Sequence, residues 1–361
     1  LRRSHVVALV VVAGALIGGV GTASAQTFPV ALDVVGAVDG VQGSTPARNS
    51  MVFLDVFGAV RLAEGLDFIA RPVISRRSFD GTWQKQMYQL GLRYELPAGG
   101  ARGVGLRFEV GQLPSPIGIA MLENRPDLNP VVSQHSAYYM TLPRVDPAMP
   151  RLFLIGGVYP FGGVATVSAR RWDARVALLD SSPIRGRPFF GSNKPPRLLN
   201  TVVGVGVTPR VGLRFGAAVA HGAYASVEEP AARLQDDRDA TMVQVEGEWS
   251  FGYTRVVGEW VKSVFQTVRA DSKTQGYWFE ATQTLSPRLF VAGRFDYQHY
   301  DYQRLSLSFE RQTYERLEGV LGVRLSPDIT LRGGYMGRHG YVVSHWDDQW
   351  IASAVWQRKI W

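Results

Sequence analysis

Long runs of strict two-residue alternation constrain this chain more than any other feature. In LGLRYEL, Leu90, Leu92, Tyr94 and Leu96 share one parity, while Gly91, Arg93 and Glu95 share the other. In VGLRFEV, Val104, Leu106, Phe108 and Val110 oppose Gly105, Arg107 and Glu109. RLFVAGRFDY sets Leu289, Val291, Phe295 and Tyr297 against Ala292, Arg294 and Asp296, and ITLRGGYMGR sets Ile329, Leu331 and Tyr335 against Thr330, Arg332 and Arg338. Residues two apart share a face in a strand and part company on a helix, so these runs are predicted strands with one apolar and one charged face.

A soluble β-sandwich also alternates, because it buries one face and wets the other. Two features separate the readings. The runs last about ten to fourteen residues, against a soluble norm near five or six. Aromatics also gather near the run ends, at Tyr94, Phe295, Tyr297, Tyr300, Tyr335 and Tyr341. Tilted strands that cross a hydrocarbon layer need that length and those girdles.

The connections alternate in length. Thr208-Pro209, Ser286-Pro287 and Ser326-Pro327 each end one run just before the next begins. Proline fixes φ and donates nothing to a ladder, so it belongs at the turn. Other short joints fall near Ala63–Gly65, Pro97–Arg102, Trp172–Asp173 and Gly252–Thr254. Longer polar loops lie between them, at Val41–Asn49, Ser182–Pro196, Ser226–Asp239, Ala270–Lys273, Gln303–Ser308 and Val342–Asp347. The fold predicted is an all-β transmembrane antiparallel barrel of about sixteen strands, with both termini on the short-turn side. The approximate spans include 162–171, 174–181 and a last strand over 349–361. One connection, 113–161 after the fifth strand, is far longer than the rest. It is too apolar and proline-rich to extend into solvent, so it is expected to fold into the lumen.

Composition agrees with export. LRRSHVVALVVVAGALIGGVGTASA offers Arg2 and Arg3, an apolar Val6–Val20 and a small-residue box at Ala23–Ala25, so residues 1–25 are expected to be a signal peptide and 26–361 one barrel domain. There is no cysteine, which leaves neither disulfides nor thiolate metal sites. The hydrophobic fraction is 46% and the formal charge +8, with only five lysines (Lys85, Lys194, Lys262, Lys273 and Lys359). Mean hydropathy is −0.04, as fine interleaving of polar and apolar residues requires. An exported basic chain meets little nucleic acid, so a path for anions is the better reading of its arginines.

Together the export signal, the alternating strands, the long loop after strand five and the terminal aromatic Trp361 resemble the sixteen-stranded outer-membrane porins. VGQLPSPIGI at Val110–Ile119 is similar to the segment that opens the corresponding loop in phosphate-selective porins and their relatives. The resemblance implies a water-filled channel in the bacterial outer membrane, a homotrimer, and Trp361 as the signal read by the assembly machinery. It does not extend to phosphate: that family gathers lysines at the mouth, and here they are spread along the chain.

If the apolar parity faces lipid, the other parity lines the lumen. It holds Arg71, Arg93, Arg107, Arg170, Arg214, Arg294, Arg316 and Arg332, with Glu95, Glu109, Glu246, Glu248, Glu280, Asp296 and Glu318 among them. An arginine at mid-depth on the lipid side costs roughly 2–4 kcal/mol, which makes these parities hard to reverse. Two uses are open: pairs such as Arg93/Glu95 and Arg107/Glu109 that brace the wall, or a ladder of arginine that favours anions. Glu123, Arg125, Asp127, Arg144, Asp146 and Arg151 of the long loop form the expected constriction. Arg185, Arg187, Lys194 and Arg197, in a loop segment without acids, are either a steering patch or merely solvated. A plugged structural or adhesive barrel is the alternative to a channel.

No catalytic set, metal site or cofactor is expected. His135, His221, His299, His339 and His345 lack ligand spacing, and SQHS at Ser133–Ser136 does not make a triad. The glycines of GVGVTPRVG lie in an alternating strand, where they relieve crowding rather than cradle a phosphate. The last strand is ambiguous: Trp361 shares parity with Lys359, Gln357, Val355, Ser353 and Ile351, while Ile360, Arg358, Trp356 and Ala354 oppose them.

Overall fold

In a computed structural model of the protein, the described residues are 30–43, 48–77, 81–96, 103–119, 125–142, 152–155, 159–185, 198–227, 236–267, 271–303, 309–340 and 343–360. They hold sixteen strands: β1 (Val30–Gly43), β2 (Arg48–Ala63), β3 (Leu66–Arg77), β4 (Trp83–Leu96), β5 (Gly105–Gln112), β6 (Phe161–Ser168), β7 (Trp172–Leu179), β8 (Asn200–Arg210), β9 (Leu213–Ala225), β10 (Arg238–Phe251), β11 (Thr254–Phe265), β12 (Ser272–Ser286), β13 (Leu289–Gln303), β14 (Phe309–Ser326), β15 (Ile329–Gly340) and β16 (Val343–Lys359). Each pairs antiparallel with its neighbours in the chain, and β1 closes on β16 with Asp33 opposite Lys359. Ile360 N–H donates to Leu32 O at 2.8 Å, so pairing continues past the last strand residue. A closed barrel leaves no sheet edge unpaired, which a lipid environment demands.

The apolar parity faces outward. Leu90, Leu92, Tyr94 and Leu96 are exposed, as are Val203, Val205 and Val207 of β8. The alternate residues, including Gln244, Glu246, Arg294, Asp296 and Glu318, turn inward and are buried. Exposed aromatics mark both rims: Trp83, Phe161 and Trp350 at the long-loop end, Trp172, Phe251 and Tyr253 at the short-turn end. The ambiguity in β16 resolves. Ile351, Ser353 and Val355 face in, and Ala352, Ala354, Trp356 and Arg358 face out. Trp361 and the predicted signal segment 1–25 lie outside the described residues.

Of the boundaries that differ from the sequence reading, three change what lies on the wall or in a loop. β6 ends at Ser168, so Arg170, expected on the lumen wall, sits exposed in the turn to β7. β7 starts at Trp172, which adds Asp173 to a wall strand expected to begin at 174. β16 starts at Val343, so most of the expected loop 342–347 is strand. Between β3 and β4 the register slips at Arg71/Pro72, where proline has no N–H to donate. The extra residue turns both Tyr88 and Gln89 inward.

The short turns are closed by their own chemistry. Ser286 Oγ accepts from Arg288 N–H at 3.3 Å, and Ser326 Oγ accepts from Asp328 and Ile329 N–H at 3.2 and 3.1 Å. Gly65 has φ +73°, and a Cβ there would lie 2.4 Å from Glu95 O, so the β2–β3 turn admits only glycine.

The long connection between β5 and β6 folds into the lumen. Leu113 N–H bonds Pro160 O at 2.9 Å and closes its base. One helical turn, α1 (Ser136–Tyr139), lies inside the barrel against β12 and β13. Ile155 N–H bonds Ala137 O at 3.0 Å, and Phe153 N–H bonds Ile184 O at 2.8 Å. The loop is thereby stitched to itself and to the β7–β8 connection. Ile117, Tyr138, Leu154 and Ile155 are fully buried against wall residues such as Val202, Phe265 and Trp278, so the long-loop half of the lumen contains an apolar core.

Candidate functional site

Residues 125–138 of the loop follow the inner wall from β1 round to β11, and β1, β15, β14, β13 and β11 supply its anchors. Arg125 meets Asp33 of β1 at 2.7 Å and Asp127 at 2.8 Å. Burial works against the charge of Arg125, yet the two aspartates outweigh it and hold the guanidinium above its ordinary pKa. On β15, Arg332 donates to Pro126 O at 3.1 Å, Val131 O at 2.7 Å and Asn129 O. On β14, Glu318 accepts from Val132 N–H at 2.8 Å, Ser133 N–H at 3.0 Å and the Ser133 hydroxyl. Arg316 beside it donates to Gln134 O at 2.6 Å while paired with Asp296 at 2.8 Å. On β13, Arg294 donates to Ser133 O at 2.9 Å and pairs with Glu280 of β12 at 3.0 Å. Asp296 accepts from both Ser136 N–H and Ser136 Oγ at 3.0 Å. Glu259 of β11 ends the series, accepting from Tyr138 OH at 3.2 Å and Trp278 Nε1 at 3.0 Å.

SQHS thus belongs to this anchor: both serines donate to wall carboxylates. His135 between them packs 4.1 Å from the Trp278 ring, centroid to centroid. Burial, then the charges of Arg294, Arg316 and Arg255, push its imidazole well below its ordinary pKa, so it sits in the lumen neutral.

The opposite wall carries the other predicted arginines. Arg71 pairs with Asp55 at 2.6 Å, Arg93 with Glu109 at 2.9 Å, and Arg107 with Glu109 at 3.4 Å. Glu95 stands 3.9 Å from Arg93 and is half exposed. Arg214 spans Asp173 at 3.3 Å and Glu246, and Arg255 pairs with Glu248 at 2.8 Å. Lumen glycines make room for these groups: a Cβ at Gly206 would lie 2.4 Å from Asp173 Oδ2, and one at Gly216 2.6 Å from Glu246 Oε1. A cavity of about 790 Å³ opens here on the short-turn side, beneath the loop. Four arginines (Arg107, Arg175, Arg214, Arg255) and four acids (Glu95, Asp173, Glu246, Glu248) line it. A second cavity of about 460 Å³ lies beside it, and Arg255 and the loop residue Leu128 line both.

Of the expected constriction set, Arg125 and Asp127 belong to the anchor on Asp33, while Glu123, Arg144, Asp146 and Arg151 lie outside the described residues. Arg185, expected in a solvent-facing loop, is buried and donates to Tyr224 O at 3.1 Å. Arg187, Lys194 and Arg197 are outside the described residues. The sequence reading missed Asp33, Asp55, Asp173, Arg175, Arg255 and Glu259. Parity alone would have found Asp33 in ALDVV and Asp55 in FLDVF. Asp173 had been assigned to a turn. Among the described residues, no group of three or more His, Asp or Glu has metal-binding geometry.

No protein-family model matches the chain, and no curated protein matches it in sequence. Solved structures do match. Outer-membrane-expressed OmpT of Vibrio cholerae superposes with a TM-score of 0.59 at 9% identity, covering 94% of this chain and 100% of that one. The anion-selective porin from Comamonas acidovorans gives 0.54 at 11% identity, covering 92% and 99%. Salmonella typhi OmpF, solved with daunomycin, gives 0.57 at 11% identity, covering 92% and 98%. The chain has the fold of the porin-type outer-membrane barrels.

Proposed function

We propose that the protein is an outer-membrane porin that passes small polar solutes by diffusion and prefers anions. The observation that carries this reading is the charged 790 Å³ vestibule beneath an infolded loop, inside a barrel of porin fold. Water-facing charges of both signs across a lumen orient polar solutes without holding them tightly. Arginine stays charged at any working pH, which favours it as the cation of such a wall. An export signal at 1–25, a terminal assembly signal at Trp361 and a homotrimer belong to the same reading. One structural neighbour, OmpT of Vibrio cholerae, was solved in a trimer form.

The apolar core in the long-loop half of the lumen favours a second reading, a barrel plugged by its own loop. Planar-bilayer recordings separate the two. Discrete conductance steps with a reversal potential set by the anion support the porin. A silent bilayer supports the plug, and cation selectivity removes the anion preference.

A further inference from the structure

Most lumen arginines spend their charge on a carboxylate or on the loop backbone. Arg175 of β7 does not: among the described residues it has no ion pair or hydrogen bond, and its Nε is buried without an acceptor. It has nevertheless a built place on the wall. Its stem lies across the glycine opposite it on β8, Gly204, where a Cβ would stand 2.8 Å from Arg175 Nε and 3.2 Å from its Cγ. Any larger residue at 204 displaces the guanidinium.

The register extends this place into a cradle. Arg107 of β5 is opposite Thr166 of β6, and Thr166 is opposite Arg175. The three share one row and one inward parity, and all three line the 790 Å³ cavity. The two arginines stand two strands apart, about 10 Å between backbones, with a hydroxyl between them. Among the described residues Arg107 touches one carboxylate, at 3.4 Å, and is itself well exposed. A planar oxyanion fits between two such forks and a hydroxyl donor. The same cavity has an apolar side: Ile119 and Leu128 of the loop border it, and Leu128 is 50% exposed. An exposed leucine facing a charged cavity suits a solute that is apolar at one end.

We propose that the Arg107–Thr166–Arg175 row is a docking site for small organic monocarboxylates, seated by Arg175 in a cavity whose apolar border includes Leu128. The proposal deepens the porin reading by naming a solute class, yet binding and conduction are separable. Titration calorimetry of sodium butyrate into the detergent-folded barrel reads the site whether or not the barrel conducts.

Butyrate is expected to bind saturably, and Arg175→Gln to weaken it about tenfold, the loss of one charge-assisted contact. Leu128→Asn is expected to weaken it about threefold, as loss of a small apolar contact should. Wild-type protein alone supplies a second test if Arg175→Gln does not fold: butyramide, the neutral isostere, should not compete with butyrate. Equal binding of butyramide, an unchanged affinity in Arg175→Gln, or inorganic phosphate binding more tightly than butyrate would each overturn the assignment. A silent bilayer with intact butyrate binding would count against the porin and leave the site standing.

Discussion

The two halves of the lumen wall use one chemistry for opposite ends. On β13 to β15, Arg294, Arg316, Arg332, Asp296 and Glu318 are buried, and they grip the backbone of the infolded loop as well as each other. From β4 to β11, the same residue types line an open cavity and pair chiefly across strands. Arg316 keeps only 8% of its side chain exposed, tied to Asp296 and to Gln134 O, whereas Arg214 keeps 27% exposed between Asp173 and Glu246. What an arginine does here follows from what covers it. Beneath the loop it is a bolt, and beside the vestibule it is a surface that solute can meet.

Cutting one bolt is the strongest way to break that comparison. Arg316→Ala leaves Asp296 buried with one cation fewer and frees Gln134 O. Removing one partner of a buried pair typically costs about 3–5 kcal/mol. Arg214→Ala takes the cation from Glu246, which is itself buried but borders the open vestibule, and should cost less, about 1–3 kcal/mol. Urea unfolding of the detergent-folded barrel checks both. Equal losses would show that the two walls do not differ in kind. The same release should raise the susceptibility of the loop to limited proteolysis in Arg316→Ala alone.

A softer cut sharpens the same point. Glu318 accepts two loop N–H groups and a hydroxyl, an anion nest filled by the protein's own carboxylate. Glu318→Gln keeps the shape and removes the charge, so it should cost about 1.5–3 kcal/mol, the range of hydrogen bonds to charged groups. A loss within error of zero would mean that the loop is held by its apolar core and that the nest merely tolerates it.

How much of this was legible beforehand follows from what each feature depends on. Parity is local, so Arg294, Arg316, Arg332 and Glu318 were readable as inward residues from ITLRGGYMGR and its like. Their partners were not, because the loop that covers them is separated from them by well over a hundred residues. The clamp depends on Asn129, Ser133 and Ser136, which carry no periodic signal. Arg170 failed for the opposite reason. Alternation runs on through VSARRW, but pairing stops at Ser168, and only the hydrogen bond from Ala169 N–H to Trp172 O reveals the turn. Arg175 went unnoticed because nothing in its strand marks an arginine that lacks an acid.

Acid should loosen the anchored half selectively. His135 is held neutral in the fold while its unfolded form titrates near 6.5. Below that value the unfolded chain binds a proton that the folded chain refuses, so stability is complete above about pH 6.5 and falls as the pH drops. Linkage limits the slope to about 1.4 kcal/mol per pH unit while the folded imidazole stays neutral. His135→Gln should flatten that part of the profile in urea titrations from pH 7 to 5. An identical slope in the variant would assign the acid sensitivity to the carboxylates of the wall instead.

The smallest effect tests whether burial, and not pairing itself, separates the two halves. Arg61 and Asp67 face each other at the short-turn end at 3.1 Å, close to the 3.0 Å of the buried Arg294–Glu280 pair. The arginine side chain is 55% exposed, so water already solvates it and long side-chain entropy opposes the contact. Exposed pairs of this kind contribute roughly 0–1 kcal/mol, and Arg61→Ala should shift the urea midpoint hardly at all. Raising ionic strength should erase what remains of its contribution, while leaving the Arg316–Asp296 contribution nearly intact. If Arg61→Ala proved as costly as Arg316→Ala, geometry alone would fix the worth of an ion pair in this barrel. The contrast between bolt and vestibule would then need another cause.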